Sequence, residues 1–366
     1  MNTQIFLDKM KDIQANILEF INDNESDCEK IVKIFDDQII RENQHELKTV
    51  LHLLVKICNN YRRTPSFFLK IDQILSYFKN DILKYFSNIE IFNIFKSNKR
   101  ILLFLIEEKV ILIDNYVVKK MMKEKYREMK YPEYFFPEIE FFLDVETKAA
   151  IKDDIENQLS SNFNEKRKNG ENDNFICQLI KDDLIKEFAS FISRNNMQLD
   201  SLIEPSIFET NSFLLKNKAT TLIEYAAFMS ANEIFDFLRL SQVKLTPSLW
   251  LYSIHGQNAD MIHLLEDNHV KPNEVSYKEC LKESIKCHYN DLVKYIFNKY
   301  LETEEKSFDT FIQSIKYFNF EFIQNDFINE TSFFYLCRYD YSPLVDAILK
   351  NKHEDINKLI ILNHFF

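Results

Sequence analysis

The sequence predicts an all-α protein built from stacked helical hairpins. Three observations predict it. Apolar residues recur at three- and four-residue steps along most of the chain. No convincing strand alternation extends beyond a few residues. In the second half, helix-start signals return at intervals of 25, 30, 31 and 24 residues, the period of a repeat array.

The composition agrees. The 366 residues include 34 Phe and 17 Tyr, ample material for a core. There are two glycines, Gly170 and Gly256, and seven prolines, whereas average usage would give ~25 Gly in a chain this long. A phosphate-binding loop, a dinucleotide-binding turn and a nucleophile elbow all need clustered glycines, so none can be built. The net charge is −11, which disfavours generic binding to nucleic acid and to anionic membranes. Six cysteines at 28, 58, 177, 280, 287 and 337 form no C-x-x-C and read as reduced thiols. The N-terminus lacks the apolar run of a secretory signal, and no segment approaches the ~18 apolar residues that span a bilayer. The expected compartment is the cytoplasm, with the nucleus as an alternative.

The first helix is read from Ile5, Phe6, Met10, Ile13, Ile17, Leu18 and Ile21, which share one face. Ser26-Asp27-Cys28-Glu29 has capping-box form and opens a helix with Ile31, Ile34 and Phe35. Helices follow at about 44–58 and, after Thr64-Pro65, at about 66–78. Pro65 suits a first turn, where its missing N–H would be unpaired anyway. In Tyr131–Phe142 (YPEYFFPEIEFF) two prolines break the helix and the aromatics call for burial. A polar stretch from Asp153 to Asp173 is the best linker. The expected division is therefore an N-terminal helical region 1–142, a linker 143–173 and a repeat domain 174–366.

The repeats start at Thr221, Thr246, Ser276, Ser307 and Thr331. Each is followed 13–16 residues later by a second apolar segment, such as Ile234–Leu238, Met261–Leu265, Leu292–Ile296, Phe322-Ile323 and Leu344–Ile348. One such hairpin cannot bury its apolar face alone; stacked neighbours share a core. Arg100–Val110 overlays Glu233–Val243, which places a divergent unit near 88–113.

Residues Thr221–Leu238 (TLIEYAAFMSANEIFDFL) resemble the ankyrin consensus, with Ala226-Ala227 on its small-residue pair. Later units carry Ser253-Ile254, Ser284-Ile285 and Ser314-Ile315 there, and Gln242 and His269 replace the hairpin glycine. That replacement puts the sharp turn of each repeat in doubt, because φ > 0 costs more without Gly. The runs Glu204–Leu215, Ile223–Ala227, Leu245–Tyr252 and Cys280–Ile285 are similar to an ankyrin-like domain-of-unknown-function family expanded in anaerobic flagellate protists. The resemblance implies an ankyrin-type solenoid and, by analogy, a protein-interaction role.

Several constellations combine residue types that can carry chemistry, and plain packing competes with each. Cys280, Cys287 and His288, with His255, His263 and His269 nearby, lack a zinc half-site spacing. Cys58 continues an apolar face, so pairing with His52 for catalysis is disfavoured; Cys287 and His288 are adjacent and point apart. Asp182-Asp183 and Glu107-Glu108 read as solvated acids. Val117–Lys130 (VVKKMMKEKYREMK), the one basic island, carries +4; a repeat helix with a lysine face outweighs a membrane or acidic-groove binder. Trp250, the only tryptophan, reads as inter-repeat core ahead of a binding hot spot.

The expected function is thus non-enzymatic protein–protein interaction, with no catalytic residue, cofactor or metal. Rival readings are an enzyme using Cys or a carboxylate in a cleft between the two halves, and a peripheral membrane adaptor through the basic helix 117–130. The partner would be a protein or peptide, acidic or aromatic. It would dock on the hairpin tips, Gln242, Lys244, His269 and Lys271, and on exposed first-helix positions, Tyr225, Phe228, Tyr252 and His255.

Overall fold

The computed structural model describes residues 3–23, 27–156, 162–217, 219–272, 276–301 and 307–350. Among these residues the regular structure is helical, and extended pairing is confined to an isolated bridge between Leu202 and Thr221. No described helix is long and apolar enough to cross a membrane.

Contacts divide the chain into two compact units. One comprises Met1–Ile57, Arg63–Phe78 and Glu274–Phe366; the other comprises Cys58–Arg62 and Lys79–Asn273. They do not follow the sequence order expected from boundaries at 142 and 173. The stretch 143–173, read as a polar linker, contains helices Val145–Ile155 and Phe163–Asn169, with Ile151, Ile155, Phe163 and Arg167 buried. Arg167 accounts for this: Nη1 donates to Glu138 (2.7 Å) and to the Tyr134 carbonyl (3.1 Å), and Nη2 donates to Asn164 (2.6 Å). A buried guanidinium held this way ties the polar segment down.

In the first unit the helix Thr3–Asn22 presents Phe6, Met10, Ile13, Ile17 and Ile21 to the interior, as its spacing predicts, while Ile5 is exposed. It packs on Cys28–Asp37, on the turn Phe320–Phe322 and on the helix Ser342–Lys350. Asp27 caps Cys28–Asp37 through Glu29 N, while Ser26, the other half of the expected box, lies outside the described residues. The buried Gln14 side chain accepts from Phe320 N (2.7 Å) and donates to Asn319 Oδ1 (3.1 Å). The hairpins here are Tyr277–Lys286 with Asn290–Tyr300, and Phe333–Arg338 with Ser342–Lys350. The helix Phe308–Tyr317 packs between Tyr277–Lys286 and Phe333–Arg338. Its expected partner at Phe322-Ile323 shortens to the single 3-10 turn Phe320–Phe322.

In the second unit, the hairpins Phe175–Lys181/Ile185–Arg194, Leu222–Met229/Asn232–Leu240 and Leu249–Gly256/Ala259–Asp267 follow one another, their first helices packed side by side. The pair Asn88–Phe95/Lys99–Glu107 forms where the divergent unit was expected, opened by a capping box of Ser87 and Glu90. Thr221 likewise forms a full capping box with Glu224, whose Oε1 also accepts from Ser248 at 2.6 Å. Start signals at Thr246 and Thr331 are displaced by one or two residues, to N-caps at Ser248 and Ser332.

The hairpins turn sharply without glycine. Between their helices, Asp183, Ser230, Gln257, His288, Phe318 and Asp340 all have φ of 50–64°. In each case the following amide reaches back five residues, as in Ala231 N to Ala226 O (2.9 Å) and Tyr341 N to Leu336 O (2.9 Å). Second helices end the same way at Lys109, Asn196, Gln242 and His269. This left-handed cap satisfies carbonyls that the helix end would orphan, so hydrogen bonding offsets the steric cost. Ala226, Ala227, Ser253, Ser284 and Ser314 are fully buried. Ser284 and Ser314 bury their hydroxyls by donating to Cys280 O (2.7 Å) and Thr310 O (2.8 Å).

Candidate functional site

The structure separates the residues expected to contact a partner into two groups. Gln242 and Lys244, and His269 and Lys271, are exposed at the ends of consecutive second helices. Both tips share a geometry: the positive-φ residue (67° at Gln242, 54° at His269) is followed by an amide bonded back into the helix, Val243 N to Leu238 O at 3.1 Å and Val270 N to Leu265 O at 2.9 Å. Each tip therefore presents a lysine two residues beyond the turn.

Tyr225, Phe228, Tyr252 and His255, expected on an exposed first-helix face, are instead 2%, 7%, 5% and 1% exposed. Phe213 is the physical reason for Phe228, Tyr252 and His255, and Tyr225 stacks in turn on Phe228 at 6.2 Å. Asn211 caps the short helix Ser212–Lys216 through Phe213 N (2.9 Å) and Leu214 N (3.4 Å), and this seats the Phe213 ring on that face. Its centroid lies 4.1 Å from His255 and 4.8 Å from Tyr252, with Phe228 stacked at 6.2 Å. Tyr252 OH also pairs with Thr220 Oγ1 at 3.1 Å. The aromatic strip is core. Trp250 is core as well, with Nε1 donating to Val270 O at 2.7 Å.

The run Glu204–Leu215, which carried a resemblance but no chemistry in the sequence, builds a cavity wall. A cavity of about 290 Å³ is lined by Met129, Ile203, Pro205, Ile207, Leu214 and Leu215, with Glu209, Asn172, Thr220 and Tyr225 supplying polar atoms. Glu209 is 4% exposed, and its Oε1 accepts from Thr210 N (2.8 Å) and Asn211 N (2.6 Å). Lys99, fully buried, donates to Ile207 O (2.8 Å) and Met129 O (3.1 Å), so it ties two walls together. Burial lowers its ammonium to about 7, against the favourable charges of Glu209 and Glu133. A second cavity of about 230 Å³ shares Asn172 and Tyr225 and is lined by charged groups, among them Lys166, Asp173, Lys181 and Glu171. No sequence pattern marks either cavity, because the walls of each come from segments far apart in the chain, Met129 with Tyr225 in the first and Lys166 with Tyr225 in the second.

Cys58, Cys177, Cys280 and Cys287 are buried. Burial pushes the Cys177 and Cys280 thiols up to about 12 and raises Cys287 well above the ordinary range. Asp183 accepts from Glu233 N (3.0 Å) and Ile234 N (2.9 Å), capping the helix Asn232–Leu240. Glu107 and Glu108 pair with Lys168 (3.1 Å) and Lys79 (2.9 Å). In the basic island, Val117, Val118, Met121 and Tyr126 are buried, while Lys119, Lys123, Arg127 and Lys130 are exposed. Its apolar side belongs to the core.

No curated protein and no solved structure matches the chain. Residues 241–338 match the family model described as Domain of unknown function (DUF3447), a stretch that begins at the Gln242 tip and ends with the helix Phe333–Arg338.

Proposed function

We propose that this protein is a non-enzymatic interaction module of ankyrin type, and that it takes a segment of a partner protein across the hairpin tips bearing Gln242, Lys244, His269 and Lys271. The observation that carries this reading is the repeated tip geometry: two adjacent hairpins expose a polar left-handed residue and a lysine in the same register. Such repetition offers an extended ligand equivalent contacts one hairpin apart. Two lysines on a chain of net charge −11 favour an acidic peptide, with charge acting chiefly on encounter and selectivity. The aromatic contribution to partner choice falls away, since the rings meant to supply it are buried. The proposed location is the cytoplasm or nucleus.

The enzyme rival loses support at the buried cysteines. A nucleophilic cysteine needs a lowered pKa, whereas burial raises Cys177, Cys280 and Cys287. The membrane-adaptor rival needs a free apolar face on 117–130, and that face is buried.

A photo-crosslinking amino acid placed at Gln242 or at His269 tests the reading in the native cell. The expected result is adducts of the same mass from both positions, absent when the label sits at the buried Phe228. Unrelated adducts from the two tips would refute a shared ligand.

A further inference from the structure

The cavity of about 290 Å³ lies within the second unit, and its wall chemistry restricts what it can hold. Met129, Ile203, Pro205, Ile207, Leu214 and Leu215 supply the apolar wall. The buried polar side chains beside them have partners within the protein. Asn172 donates to Glu204 O (2.8 Å) and accepts from Asn174 N (3.0 Å). Thr220 Oγ1 donates to Asn217 O (2.9 Å) and pairs with Tyr252 OH (3.1 Å). The Tyr225 hydroxyl bonds the Cys177 side chain. Glu209 holds the amides of Thr210 and Asn211.

Charge is balanced as well. The buried Lys99 has Glu209 and Glu133 as its favourable charges, and Lys130 pairs with Glu133 at 3.0 Å. Glu204, the other acid on the wall, is exposed, so water solvates it. An ion entering the cavity would give up its hydration and find the counter-charges already engaged. Water gains little from walls whose donors and acceptors are spent. A neutral apolar group loses no hydrogen bond on entry and removes apolar wall from water. An apolar cavity of ~150 Å³ takes benzene, so this one suits a group of about two fused rings. Glu204, Pro205 and Asn217 are exposed on the wall and mark its entrance.

We infer that this cavity is a binding site for a neutral apolar group of bicyclic size, the chemistry of a tryptophan side chain or of a free aromatic compound, seated on Ile203, Ile207, Leu214 and Leu215. The inference does not depend on the hairpin tips.

Calorimetric titration of the full chain with quinoline, the permanent cation N-methylquinolinium and the anion quinaldate tests it. The shared ring isolates the cost of the charge: quinoline binds, and both ions bind at least about tenfold more weakly. Saturating quinoline also raises the melting temperature, because it binds the folded chain. Leu215→Trp fills the cavity and weakens quinoline at least about tenfold with the urea midpoint retained. Leu214→Trp, on the same wall, is the second filling variant should the first fail to fold, and the comparison of the three ligands needs no variant. A capped Gly-Trp-Gly peptide that binds tighter than skatole, the isolated tryptophan side chain, identifies a protein side chain as the source; skatole binding tighter identifies a free aromatic. Equal affinity for quinoline and either ion, an unchanged quinoline affinity in the folded filling variants, or no binding of quinoline below about 10 mM overturns the inference.

Discussion

Gly256 lies directly against Ala227: a Cβ on Gly256 would stand 2.4 Å from the Ala227 carbonyl oxygen and 2.9 Å from Ser230 Oγ. Ser230 Oγ closes the same contact by donating to Gly256 O at 2.7 Å. The helices Leu222–Met229 and Leu249–Gly256 therefore meet backbone to backbone at this point. Gly256→Ala must push them apart, and overpacking of this kind costs about 1–3 kcal/mol or more. Urea unfolding of the variant checks it; an unchanged midpoint would mean the helices have slack. Gly170 serves differently, as a left-handed helix cap at φ 65°. Gly170→Ala should cost about 1 kcal/mol through backbone strain alone.

The turns that use other residues in that conformation carry a strain that glycine would relieve. His269, exposed at φ 54°, is the cleanest position. His269→Gly is expected to stabilise the chain by up to about 1 kcal/mol, the left-handed penalty less the added freedom of the unfolded chain. A drop in stability would show that the imidazole contributes more than the backbone loses.

Tyr252 and Lys271 separate core from surface. Tyr252→Ala removes a ring packed on Phe213 and a hydroxyl paired with Thr220, and truncations of that size cost about 3–5 kcal/mol. Lys271→Glu, at an exposed tip, should fall within about 0.5 kcal/mol of the parent. Thermal melts of the two variants decide it: similar melting temperatures would put Tyr252 on the surface.

His288 is expected to make the first unit acid-sensitive. Among the described residues neither ring nitrogen has a hydrogen-bond partner, and burial lowers its pKa from 6.5 to about 3. The unfolded chain then takes up a proton that the folded chain refuses. The stability is fully present above about pH 6.5 and is lost as pH falls from there toward 3, at up to about 1.4 kcal/mol per pH unit. Below about pH 3 both states are protonated and the slope ends. His288→Asn, which tolerates φ 53°, should flatten the dependence between pH 6 and 4. The same slope in parent and variant would assign the acid sensitivity to other groups.

Much of the fold was legible because it is local. The helix faces, the capping box at Thr221 and the small pair at Ala226-Ala227 depend on residues within a few positions of each other. The turns were misjudged at Gln242 and His269 because the cost of positive φ was counted without the backbone hydrogen bonds that offset it. The site failed for a different reason. Phe213 and the Glu204–Leu215 run precede the helices they cover, and no periodicity says that a connecting segment folds back over a first-helix face. The tips survived because a helix end with a polar residue beyond it stays exposed whatever covers the neighbouring face.

The central claim is that the tips select the partner. Comparative affinity capture from the native cell, with the parent chain, Lys244→Glu/Lys271→Glu, and the control Lys119→Glu/Lys123→Glu, tests it most directly. The account predicts that polypeptides retained by the parent and by the control are lost with the tip variant, and that all three chains share one urea midpoint. The same polypeptides captured equally by all three would contradict it.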